Sequence, residues 1–227
     1  MQEIGVKPAN ASVKDLGIQD GKAHWNLPPA ALAKIAVALG QATVSSTGAI
    51  AIDTGEFTGR SPKDKFTVKD ELTKDSVWWN NFNIPFSPEH FEKLHKKVVN
   101  YFNGKEFYVR DVYACADPRY RMNIRVVTEL PSSNLFASNM FLRPTADELT
   151  SFEPEWTLLC APGFKAKPDE DHTRQHNFSI IDFTRKVILV GGSAYTGEIK
   201  KGVFTALNFI LPHQKNVLSM HCSVNIG

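Results

Sequence analysis

The chain has 227 residues, 42% of them hydrophobic and 22% charged, and a net charge of only +2. That composition fits an ordinary globular protein with room for one large domain or two small ones. It excludes a chain whose bulk charge recruits nucleic acid or an acidic membrane surface, so any anion binding must come from local clusters.

Three widely spaced cysteines, Cys115, Cys160 and Cys222, form no CxxC pair, which argues against structural zinc or a disulfide framework. Cys160, beside Leu158 and Leu159, reads as a small buried hydrophobe in a reducing, cytoplasmic setting. The N-terminus MQEIGVKPANASVKDLG has no signal pattern. The longest apolar run, Ala30 to Leu39, contains Lys34 and is far too short to span a bilayer.

In chain order, Pro28 to Leu39 is the first helix, with prolines at its start and Gly40 as its stop. Gly48 to Asp53 reads as a short strand that enters a polar loop, Thr54 to Lys65, and Lys65 to Lys69 resumes a strand pattern. Ser87-Pro88-Glu89 predicts a helix start with a capping hydroxyl and an early acid. Phe91, Leu94, Val98 and Phe102 follow at helical spacing, and Gly104 closes the helix. Strands are expected at 106–115, 122–129, 156–160, 178–183 and 186–190, and short helices at 132–142 and 145–152. Residues 178–190 form an expected hairpin, Glu198 to Leu211 a helix ended by Pro212, and Val217 to Ser223 a final strand. The mixture makes the class α/β with a mixed sheet.

Three segments carry chemistry. In Thr58-Gly59-Arg60-Ser61-Pro62-Lys63-Asp64-Lys65, glycine frees the backbone before an arginine able to clamp a carboxylate or phosphate at two points. A solvated surface turn has the same composition. The second segment runs from Gly191 to Gly202 between a strand and a helix, where backbone N–H groups point at bound anions. Tyr195 offers a ring face and a hydroxyl, and Gly197 lets a ligand approach the main chain. Lys200 and Lys201, placed in the helix's first turn, oppose the macrodipole unless an anion or metal uses them. About 100° apart, they address neighbouring targets rather than one atom. A surface lysine pair is the plainer reading. In the third segment, Leu218 to Ser223, alternation sets Ser219, His221 and Ser223 on the face opposite Met220 and Cys222. A lone strand histidine is commonly a core residue, and a metal ligand is the alternative. His172 and His176, four apart, could share a helical face and mimic a metal pair, but no HExxH context supports them.

Taken together, FTGRSPKDKF, YTGEIKKGVF and SMHCSVNIG, in this order, resemble the signature segments of ATP-dependent phosphoenolpyruvate carboxykinase. NMFLRPT (139–145) and the stretch 178–211 also match, so the resemblance covers roughly residues 40–227. It implies an N-terminal domain of that family's type spanning 1–227, a substrate-binding unit in which 1–40 is a segment with one helix. The family's gluconeogenic reaction converts oxaloacetate and ATP to phosphoenolpyruvate, CO2 and ADP, with Mn2+ and Mg2+. Carried over by motif, Arg60 holds a substrate carboxylate or CO2. Tyr195 and the Gly197 backbone lie beside the substrate, and Lys200 meets the transferred phosphoryl group or the substrate. Lys201, also a catalytic and substrate-binding residue, and His221 would ligate manganese and touch the nucleotide, with an aspartate ligand expected beyond Gly227. A metal-ligating lysine must be neutral, which a neighbouring Lys200 and a bound dication would favour.

The family's P-loop begins shortly after the point where this sequence stops, and no GxxxxGK followed by Ser or Thr occurs here. The expectation is therefore a piece that holds substrate-binding residues, lacks the nucleotide-binding half and is inactive alone. Thr196 departs from the small residue expected in the YxGE turn, and 212–216 is slightly longer than in some relatives. Two other classes stay open: a non-catalytic anion-binding or interaction module, and a metallohydrolase using His172, His176 and His221.

Overall fold

The computed structural model describes all 227 residues. The N-terminal segment contributes β1 (Gln2–Gly5), β2 (Lys22–Trp25) and α1 (Pro29–Ala38). A separate antiparallel ribbon, β3 (Ala42–Val44) and β4 (Ile50–Ile52), precedes the Arg60 loop. There follow β5 (Lys65–Val68), β6 (Ile84–Phe86), α2 (Pro88–Phe102), β7 (Glu106–Ala114) and β8 (Met122–Thr128). The rest comprises α3 (Pro131–Met140), α4 (Ala146–Thr150), β9 (Trp156–Ala161), α5 (Pro168–Asp171), β10 (Phe178–Asp182), β11 (Val187–Gly191) and α6 (Gly197–Lys215).

Nine strands form one mixed sheet in the order β1-β2-β7-β8-β9-β11-β10-β5-β6. The pairs β7–β8 and β10–β11 are antiparallel and the other neighbours run parallel. Alternate residues of each central strand enter opposite cores, as a period of two requires. Leu159 and Ala161 of β9 join Phe91, Leu94, Val98 and Phe102 of α2. Leu158 and Cys160 face Ile199, Val203 and Ala206 of α6. With helices on both faces, those strands read as continuous apolar runs. The two cores bury 21 and 16 residues on opposite faces of the sheet.

The expected α/β class and the 178–190 hairpin are what the structure shows. Residues 1–40 hold more than one helix: two strands join the main sheet, and Val13, Ile18 and Trp25 are fully buried. Ser87 takes the N-cap position of α2 but makes no side-chain capping bond. Two expectations at the end of the chain are overturned. Pro212 lies inside α6, which runs to Lys215 and ends on Asn216 in a left-handed conformation. Pro212 removes one i→i−4 hydrogen bond in the last turn of α6, and the helix continues three residues past it. Residues 217–223 are not a strand, because no neighbour pairs with them, and Leu218, Met220 and His221 are exposed.

Candidate anion site at the N-terminus of helix α6

Sheet pairing explains why two segments 135 residues apart meet. Phe178 of β10 opposes Gly191 at the end of β11, and Ser179 pairs with Lys65 at the start of β5. The loop that precedes β5 and the loop that follows β11 therefore emerge at the same end of the sheet.

On one side, Arg60 is exposed and Ser61 opens a short turn, Pro62–Asp64, that leads into β5. Asp64, 2% exposed, anchors this turn by accepting from Arg174 Nε at 2.8 Å, Arg174 Nη2 at 2.7 Å and Gln175 Nε2 at 2.8 Å. On the other side, Gly192 holds φ +70°, and a Cβ there would meet the His176 carbonyl oxygen at 2.4 Å. Only glycine lets the chain leave β11 so close to that backbone. The Tyr195 ring covers Gly197, where a Cβ would lie 2.4 Å from Tyr195 Cε1.

Glu198 joins the two sides. It is 4% exposed, and its Oε1 accepts the Ser61 N–H at 3.0 Å. Its Oε2 lies 2.9 Å from Lys65 Nζ, an ion-pair contact off the line of a good hydrogen bond, so that oxygen has no hydrogen-bond partner. Glu198 also occupies the first turn of α6, where a carboxylate complements the macrodipole. Lys200 and Lys201 are thus the fourth and fifth helical residues, just past the first turn expected for them.

The lysines face different surroundings. Lys201 lines a cavity of about 120 Å³ with Lys65, Thr67, Ser179 and Thr205. Lys200 borders an apolar groove of about 260 Å³ with Tyr113, Cys115, Met140 and Phe204. Desolvation holds the Lys201 ammonium below the ordinary lysine value, and the charges of Arg60, Lys200 and Lys65 push it further down. Arg60 and Lys65 thus join Lys200 in lowering Lys201, a contribution the sequence did not reveal. A cavity of about 500 Å³ lies by Lys63, Asp64 and Arg174 but is not lined by Arg60, Tyr195 or Lys201.

His221 is exposed, and its ring meets Phe204 edge-on at 5.3 Å, while Lys201 Nζ lies 4.9 Å from the same ring. The two nitrogen donors thus share one aromatic neighbour. No group of three or more His, Cys, Asp or Glu side chains that could hold a metal ion gathers in the chain. The three-histidine arrangement is overturned. His172 follows the end of α5 in a left-handed conformation and stacks on His90 at 3.6 Å. His176 instead packs by Phe57 and Glu56.

Sequence reasoning missed Glu198 and Phe204 as parts of the site. An acid between a glycine-bearing turn and two lysines was the available signal for Glu198; nothing in the sequence marked Phe204. The cysteines are all free, and burial pushes the Cys160 thiol up to about 12, as a core residue requires. No helix is long and apolar enough to cross a membrane.

The family model described as phosphoenolpyruvate carboxykinase matches residues 21–227. The chain is 58% identical over 216 residues to phosphoenolpyruvate carboxykinase (ATP) of Flavobacterium johnsoniae, covering 95% of this chain and 40% of that protein. It is 56% identical over 216 residues to the protein of the same name from Christiangramia forsetii, covering 95% and 41%. Identity to phosphoenolpyruvate carboxykinase (ATP) 1 of Moorella thermoacetica is 46% over 210 residues, covering 92% and 40%. The chain thus spans about 40% of the length of these relatives.

Proposed function

Because the chain belongs to the ATP-dependent phosphoenolpyruvate carboxykinase family, we propose that residues 1–227 are the substrate-binding domain of such an enzyme. The reaction is oxaloacetate plus ATP to phosphoenolpyruvate, CO2 and ADP. The observation that carries this reading is the joining of the Arg60 loop to α6 through the Ser61 amide and Glu198, beside the cavity that Lys65 and Lys201 line.

In the proposed chemistry, the bond between the β-carboxylate and C3 of oxaloacetate breaks, CO2 departs and the electron pair remains as an enolate. The enolate oxygen then takes the γ-phosphoryl group and ADP leaves. Both steps move negative charge through the site, so fixed cations and positioning matter more than a nucleophilic side chain. Arg60 would hold the carboxylate that becomes CO2, since its planar guanidinium offers two parallel donors. Tyr195, over Gly197, would bound the substrate on the helix side. Lys200 would meet the phosphoryl group.

Lys201 and His221 would supply two ligands of a manganese ion and approach the nucleotide. When bound, that ion would withdraw charge from the enolate oxygen. The depressed Lys201 suits a lysine that must be neutral to ligate a metal. The donor pair is incomplete within this chain, so the 227 residues alone should bind anions without turning over. Magnesium would accompany ATP, which has no GxxxxGK loop here.

The test is a coupled assay of phosphoenolpyruvate formation from oxaloacetate and ATP. Protein of full family length should be active, Arg60→Gln and Lys201→Gln should each abolish turnover, and the 227-residue chain should be inactive. Full-length protein that binds oxaloacetate without decarboxylating it would replace this reading with a non-catalytic anion-binding module.

A further inference from the structure

We infer that Glu198 is a positioning residue: its buried carboxylate holds the Arg60–Ser61 peptide against α6 and so aims Arg60 at the anion that Lys201 faces. The inference rests on the anion-site reading above, which assigns no role to Glu198.

Arg60 is exposed and opens a loop bounded by Gly59 and Pro62, so its direction depends on what fixes the adjoining backbone. Asp64 anchors the far end of the turn through Arg174, four residues beyond Arg60. Next to Arg60 itself, the Ser61 amide donates to Glu198 across 137 residues of chain. Glu198 in turn is fixed by α6 and buried to 4% exposure, so the bond runs from a rigid helix to the loop. The second oxygen draws Lys65, the first residue of β5, toward the same helix turn. One side chain therefore spans the loop, the strand and the helix that carry the cations.

A negative charge beside an anion site should weaken anion binding if charge were its whole effect. Positioning predicts the opposite sign, because removing Glu198 releases the arginine that grips the ligand. Glu198→Gln separates the two effects: it keeps an acceptor for Ser61 N–H and discards the charge.

The experiment combines calorimetric titration of the 227-residue chain with inorganic phosphate and hydrogen exchange over residues 58–65. Glu198→Ala should speed exchange at the Ser61 amide at least tenfold and weaken phosphate binding several-fold. Glu198→Gln should restore Ser61 protection and bind phosphate at least as well as the unaltered chain. Faster exchange confined to 58–65 with the β9 and β11 amides unchanged keeps the effect local rather than global. Phosphate binding by Glu198→Ala as tight as, or tighter than, that of the unaltered chain overturns the positioning role alone. Absence of phosphate binding in the unaltered chain overturns the anion-site reading, and the role built on it.

Discussion

Asp64 and Arg174, 110 residues apart, form a two-point pair of 2.8 and 2.7 Å in which the carboxylate is buried and the guanidinium half-exposed. The pair sets the end of the Arg60 turn against the loop that leads into β10. Asp64→Ala removes the acceptor for Arg174 and Gln175 together. Because Arg174 keeps access to water, the cost should be below that of breaking a fully buried pair, about 1–3 kcal/mol. Urea unfolding of the two chains measures it; an unchanged midpoint would contradict this anchoring.

Gly202 lets α6 approach β11 closely, since a Cβ at 202 would lie 2.8 Å from Ile188 Cγ2. A helix-interior glycine elsewhere gains about 1 kcal/mol on replacement by alanine. Here the methyl group meets a strand side chain, so Gly202→Ala should gain little or lose. Gly202→Val should lose roughly 2 kcal/mol through overpacking. Thermal melts of both variants decide it, and a stabilised Gly202→Val would show that α6 is free to shift outward.

Asp70 ties the end of β5 to the turn after β10. Burial pushes its carboxyl up, but hydrogen bonds from the Thr184 and Thr73 hydroxyls and the Thr73 and Leu72 amides outweigh burial and set it below the ordinary value. A carboxyl depressed in the folded state contributes stability above its unfolded value, about 3.9, and that contribution is lost as pH falls through the folded value. The native chain should therefore lose stability relative to Asp70→Asn between about pH 5 and pH 2. Melting curves across that range check the sign; parallel losses in both proteins would remove Asp70 from the acid response.

Elements that bury an apolar face were legible in the sequence. Phe91, Leu94, Val98 and Phe102 announced α2, and the runs around Leu158 and Ile188 announced central strands. β1 and β2 were not, because QEIG and KAHW carry little alternation and become strands only by pairing toward β7. The segment after Asn216 failed for the converse reason: its pattern suits a strand, but no partner strand lies beside it. Within the site, the cations could be named from glycine-bearing loops, whereas their meeting depends on the β5–β10–β11 order. That order joins residues far apart in sequence and no local pattern encodes it. The depressed Lys201 was foreseen from Lys200, but burial and Arg60 rank above that neighbour.

Arg60→Lys separates charge from geometry. Lysine keeps the positive charge and loses the planar two-point contact. In protein of full family length, turnover should fall by tenfold or more while the melting temperature moves by no more than about 2 °C, since Arg60 is exposed and buries no core surface. Unchanged turnover with Arg60→Lys would remove the guanidinium from the reacting site.

The account stands on Arg60 and Lys201 serving one anion, and calorimetric titration of the 227-residue chain with inorganic phosphate tests that most directly. One site per chain is expected, and Arg60→Gln and Lys201→Gln should each weaken it about tenfold, the loss of roughly 1.4 kcal/mol from one charge-assisted contact. Two independent sites, each abolished by only one of the substitutions, would contradict the shared site.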